Sequence, residues 1–184
     1  MQAYSRISAW IFGVMMLALS VTVAIETILR KVASVSLGGV DELSGYAIAI
    51  GAPLCFTVAL IEQSHIRINL LHMRLPARAQ AILNLLAALS LAALAVYLLI
   101  FTARTVGETR LYQSIAQTPW ATPLIYPQTL WMAAMAVFGL AAMILAARAA
   151  LLAARGDWQG LNRAFGPDTV EDELRAELDD LDRR

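Results

Sequence analysis

Residues 79–103 read AQAILNLLAALSLAALAVYLLIFTA, with Arg78 before them, Arg104 after them and no charged side chain between. A helix crosses the roughly 30 Å of bilayer hydrocarbon with about 20 mainly apolar residues, and this run is long enough to do so. The composition agrees. Hydrophobic residues make up 59% of the chain and charged residues 15%, against about 25% charged in an ordinary soluble domain. Too little polar sequence remains to coat four buried helices of a water-soluble globule.

Three further stretches share the pattern. Ile7–Ile25 is uncharged between Arg6 and Glu26. Gly45–Ile61 is uncharged between Glu42 and Glu62, and Leu43 and Ser44 bring it to spanning length. Leu111–Ala147 is also uncharged, but Pro119, Pro123 and Pro127 divide it and leave Gln128–Ala147 as the clean span. These runs predict an all-α fold, a four-helix transmembrane bundle with short amphipathic interfacial segments. Its spans are placed near 7–29, 43–61, 79–103 and 128–147, in a membrane domain over residues 1–154. Residues 155–184 form a cytoplasmic amphipathic, acidic tail. The first run leads into Glu26-Thr27-Ile28-Leu29-Arg30 without a small-residue cleavage site, so it reads as a retained span and not as a signal peptide.

Charge distribution gives an orientation. Arg6, Arg67, Arg74, Arg78, Arg148, Arg155 and Arg163 fall on the side of the termini, against Arg30, Lys31, Arg104 and Arg110 on the other. Cytoplasmic loops carry the excess of basic residues, which predicts cytoplasmic termini. The net charge is zero, which removes any global electrostatic case for nucleic acid.

The connections have their own signals. Gly38-Gly39 reads as the break after the first helix. Asp41 reads as a cap for the second, with Ser44 leaving the capping box incomplete. Trp120 and Tyr126, among the prolines, read as a segment lying at the headgroup level. Glu62–Arg78 is amphipathic: Ile66, Leu70 and Met73 keep helical spacing, and Pro76 marks the stop. Beyond Arg155, the stripe Trp158, Leu161 and Phe165 reads as resting on the membrane surface until Gly166-Pro167. After that, Val170, Leu174, Leu178 and Leu181 share one face of an otherwise acidic helix. That helix is either solvated or a docking element for a protein partner.

A search for chemistry returns little. His65 and His72 lack a third ligand at metal spacing, and no phosphate-binding or nucleophile motif occurs. Cys55, the single cysteine, reads as small apolar packing. Glu26 is the one ionisable residue toward the inside of a span. It lies about 12 Å from the midplane by helical rise, where pairing with Arg30 at i+4 is open to it. Arg30 has a second candidate partner in Glu42, which opens the next helix at the same surface. Otherwise the spans carry small residues, such as Ala92-Ala93, Ala133-Ala134 and Ala141-Ala142, that let helices approach closely.

Several of these residues also stand in a familiar order. Leu29-Arg30 ends the first span, and Asp41-Glu42-Leu43-Ser44-Gly45-Tyr46 opens the second. Ser64-His65-Ile66-Arg67-Ile68-Asn69-Leu70-Leu71 and Arg74-Leu75-Pro76 follow it. Glu108, Ser114, Ile125-Tyr126-Pro127 and Gly139 come later. Over roughly residues 5–150 the chain resembles the small membrane subunit of tripartite ATP-independent periplasmic (TRAP) transporters. Asn69 stands where that family commonly has Asp, and the acidic tail falls outside its pattern. The resemblance implies a non-enzymatic four-helix scaffold in the bacterial inner membrane, without cofactor or metal and surrounded by membrane lipids. It also implies a large elevator-type membrane subunit as partner, a periplasmic solute-binding protein, and sodium-coupled import of a small organic acid. Arg30, Asp41, Glu42, His65 and Arg67 become the candidate structural or partner-contact residues. Two other readings stand beside it. A small multidrug-type transporter acting as a homodimer would need a carboxylate near the midplane. A haem-holding membrane anchor would need histidines inside spans.

Overall fold

The computed structural model describes residues 2–62, 72, 74–166 and 178. The described residues form five helices: α1 (Gln2–Val32), α2 (Val40–Ile61), α3 (Ala77–Tyr112), α4 (Ile125–Ala154) and α5 (Trp158–Phe165). The first four are long and apolar enough to cross a membrane, and the all-α class read from the uncharged runs is the class observed.

Helices outlast the uncharged runs because charge alone does not end a helix. α3 continues through Arg104, Glu108 and Arg110 and stops only where Gln113 turns left-handed, at φ 49°. There the Ser114 amide bonds the Thr109 carbonyl, the backbone reversal that satisfies a helix's last acceptors. α1 closes in the same region of backbone space at Ser34, φ 54°, ahead of the predicted break at Gly38-Gly39. α4 begins at Ile125 because Pro127 falls in its first turn, where a missing amide hydrogen costs nothing. It ends at Gly156, φ 70°, with the Asp157 amide on the Leu152 carbonyl.

The chain divides into two compact units, residues 1–64 with 91–144 and residues 65–90 with 145–184. In the first, α1 meets α2 at Gly51, where a Cβ would lie 2.4 Å from the Phe12 ring. α2 meets α4 through Phe56 and Phe138, with ring centroids 6.0 Å apart. Ala92, Ala95, Ala134 and Ala142 are buried, so one member of each predicted alanine pair faces protein. α1 is the exception. Its Trp10, Val14, Leu17, Val21 and Ile28 are all exposed.

In the second unit, α5 packs inward, which corrects the expectation that its stripe rests on the membrane. Leu161 is 0% and Phe165 4% exposed, against Ala81 of α3 and Ala149 of α4, while Trp158 covers the edge. The two alanines leave room for the larger side chains. Asp157 caps α5 by accepting from the Gly160 amide at 2.8 Å. Asn84, a polar residue within a span, donates to Asn162 Oδ1 at 3.1 Å, and Asn162 Nδ2 donates to the Ala77 carbonyl at 2.8 Å.

Candidate functional site

Of the ionisable residues singled out above, Glu26, Arg30, Asp41 and Glu42 flank the connection 33–39, which meets the connection 113–124 within the first unit. Each connection is tied by a buried carboxylate. Glu26, 6% exposed, sits on α1 six residues before its end, about 9 Å by helical rise. Arg30 Nη2 donates to its Oε1 at 2.7 Å and the Ser36 hydroxyl to the same oxygen at 2.6 Å. The Leu37 amide donates to Oε2 at 2.7 Å. The left-handed turn at Ser34 makes this possible, because it folds residues 36 and 37 back onto the last turns of α1.

Glu42, 8% exposed, lies in the first turn of α2. It accepts from the Tyr46 hydroxyl at 2.7 Å, one helical turn on. It also accepts from the Thr118 hydroxyl and from Thr122, both brought by the second connection. That connection is a short hairpin: the Ala116 amide bonds the Thr122 carbonyl at 2.9 Å and the Leu124 amide the Ser114 carbonyl at 3.1 Å. At its tip the Trp120 indole donates to the Leu37 carbonyl at 2.9 Å, so the two connections are bonded to each other. The indole ring lies on Gly39, where a Cβ would fall 2.2 Å from it, and Pro119 lies on Gly38, whose φ is 74°. The glycine pair that reads as a helix break is therefore also the seat of Pro119 and Trp120.

Two sequence-based expectations need correction. Arg30 pairs with Glu26 and not with Glu42, because Glu42 turns toward Tyr46 and the Thr118 hairpin and its acceptors are taken there. Asp41 does not cap α2. The cap position belongs to Gly39, without a side-chain bond, since the Trp120 ring fits only a residue lacking Cβ. Asp41 instead stands exposed in the first turn, where its charge complements the positive end of the helix dipole. His65 and Arg67, with the rest of 63–71, lie outside the described residues, as do the 167–177 and 179–184 parts of the tail.

Ser36, Thr118 and Thr122 were not singled out from the sequence. Their hydroxyls matter only through chain reversals that bring them to a carboxylate 10, 76 and 80 positions away. Chemically the arrangement holds the two connections rigidly against the helix ends. Among the described residues it offers no group of three potential metal ligands.

Comparison with known proteins agrees with this architecture. The family model described as tripartite ATP-independent periplasmic transporters, DctQ component, matches residues 19–155. No curated protein and no solved structure matches the chain. The matched segment takes in the C-terminal part of α1, the other three helices of spanning length and both carboxylate-tied connections, and the chain belongs to the DctQ-component family of tripartite ATP-independent periplasmic transporters.

Proposed function

We propose that this chain is the non-catalytic scaffold subunit of such a transporter. It pairs with a large elevator-type membrane subunit in the bacterial inner membrane. The complex imports a small organic acid, delivered by a periplasmic solute-binding protein and coupled to sodium. Both termini are cytoplasmic, and residues 155–184 follow the membrane domain on that side. Arg30, Asp41 and Glu42 organise the periplasmic end, and His65 and Arg67 the cytoplasmic connection.

The observation that carries this reading is where the polar groups of the spans direct their bonds. Thr57 bonds the Pro53 carbonyl, Thr102 the Leu98 carbonyl, and Asn84 bonds Asn162. A conduit leaves ionisable or polar groups facing a pathway, because the cost of placing them in the membrane is otherwise not recovered. Here those three are committed within the chain, while Gln128 Oε1, in the first turns of α4, has no bond. The exposed apolar length of α1 suits a helix covered by lipid or by another membrane subunit. The homodimeric multidrug reading is disfavoured by Glu26, whose carboxylate is held by Arg30, Ser36 and Leu37.

Two experiments test the proposal. Proteoliposomes containing this chain alone should take up no solute, and a tagged chain should co-purify with a large membrane subunit from its native host. Uptake by the isolated chain would overturn the scaffold reading. Reporter fusions at residues 35 and 115 should read periplasmic and one at the C-terminus cytoplasmic. The reverse pattern would overturn the orientation alone.

A further inference from the structure

A cleft of about 550 Å³ opens beside the Glu26 cluster, and its lining changes character along α1. Val23 and Thr27 line it further into the span; Arg30 and Lys31 line it near the end of α1, with Asp41 at the start of α2. Arg30 commits only Nη2, to Glu26 and Ser36, and its side chain is 66% exposed. Among the described residues, Lys31 and Asp41 take part in no ion pair. With Glu26 offset by Arg30, the lining holds two cations and two carboxylates and is neutral overall.

We infer that this cleft is a binding site for one zwitterionic, ethanolamine-type phospholipid. Its phosphate is held by Arg30 and Lys31, its ammonium faces Asp41, and its acyl chain runs down past Thr27 and Val23. The chemistry follows from the order of the groups. A guanidinium with unused donors and an adjacent ammonium are the complement of a phosphate. A lone carboxylate beside them complements a headgroup ammonium, which phosphatidylglycerol lacks. The position fits a lipid better than a peptide, because the cleft is walled by Val23 and Thr27 of a helix of spanning length. The end of such a helix is where headgroups lie.

The test uses the full chain purified in detergent, mixed with dioleoyl phosphatidylethanolamine or dioleoyl phosphatidylglycerol and read by native mass spectrometry. Wild type should retain one phosphatidylethanolamine in preference to phosphatidylglycerol. Lys31→Gln should weaken retention of both lipids by about fivefold, the worth of one basic residue at a membrane surface. Asp41→Asn should weaken phosphatidylethanolamine by a similar factor and leave phosphatidylglycerol unchanged or stronger. Neither residue belongs to the Glu26 or Glu42 clusters, so both variants should melt close to wild type, each losing only one favourable helix-end charge. Retention within about twofold of wild type in both variants, or equal loss of both lipids in Asp41→Asn, would overturn the site. So would unchanged lipid retention combined with release of a co-purified membrane subunit, which would make the cleft a protein contact.

Discussion

Glu26 and Glu42 are both buried carboxylates at helix ends on connected loops, yet they are held in opposite ways. Glu26 is neutralised by a neighbour one turn away and finishes its bonding within eleven residues. Glu42 has no cation partner among the described residues. It is solvated by hydroxyls, and those of Thr118 and Thr122 arrive from a hairpin more than seventy positions along. Arg30 and Ser36, which serve Glu26, are exposed and can turn to water if it is lost. Tyr46, Thr118 and Thr122, which serve Glu42, are partly enclosed and cannot do so freely. Local bonding therefore secures a loop, and non-local bonding secures the meeting of two loops.

The largest effect is expected where both regions meet. Gly39→Val places a branched side chain inside the Trp120 ring. It should cost about 1–3 kcal/mol as overpacking and also break the indole bond to Leu37, read as a lower melting temperature in detergent. A variant that melts like wild type would mean that Trp120 does not tie the two connections. Next in size, Glu42→Ala should destabilise more than Glu26→Ala. Combining it with Thr118→Val should add little, since the two variants remove one bond. Equal losses from the two alanine variants would erase the distinction between the clusters.

The amide pair in the other unit supplies an independent scale. Asn162→Ala should cost about 1–2 kcal/mol, because it leaves the buried Asn84 amide unsatisfied; Asn84→Ala should cost less, because Asn162 is only half-buried, and the double variant should cost less than the sum. Full additivity would show that the amides do not depend on each other. The smallest effect is the recovery expected from the exchange of Arg30→Glu with Glu42→Arg. Each single change should disturb its own cluster, and the double exchange should recover neither, measured by melting and by subunit co-purification. Recovery would restore the Arg30–Glu42 pairing that the geometry denies.

The four spans, the all-α class, the small-residue faces and the Glu26–Arg30 pair were all legible in the sequence. Each rests on spacing within one segment: an uncharged run as long as the bilayer is thick, a repeat of alanines, a separation of four on a helix. Trp120 carried half of its signal. An aromatic among prolines at a membrane boundary is readable, but its hydrogen bond to Leu37 is not. α5 shows the same limit. A short apolar stripe fits a membrane surface and a protein groove equally well, and the groove won because Ala81 and Ala149, far apart in the chain, leave a matching hollow for Leu161 and Phe165.

The sequence by itself determined that this protein crosses a membrane four times, because hydrocarbon thickness and helical rise turn a local count of apolar residues into a span. It also determined that Glu26 has a cation within reach, because a helix fixes the distance between residues four apart. Only the tertiary structure decided which acceptor Arg30 uses, what Glu42 is solvated by, and why two glycines stand before α2. Those outcomes depend on which segments from distant parts of the chain come to lie against one another, and no local spacing records that.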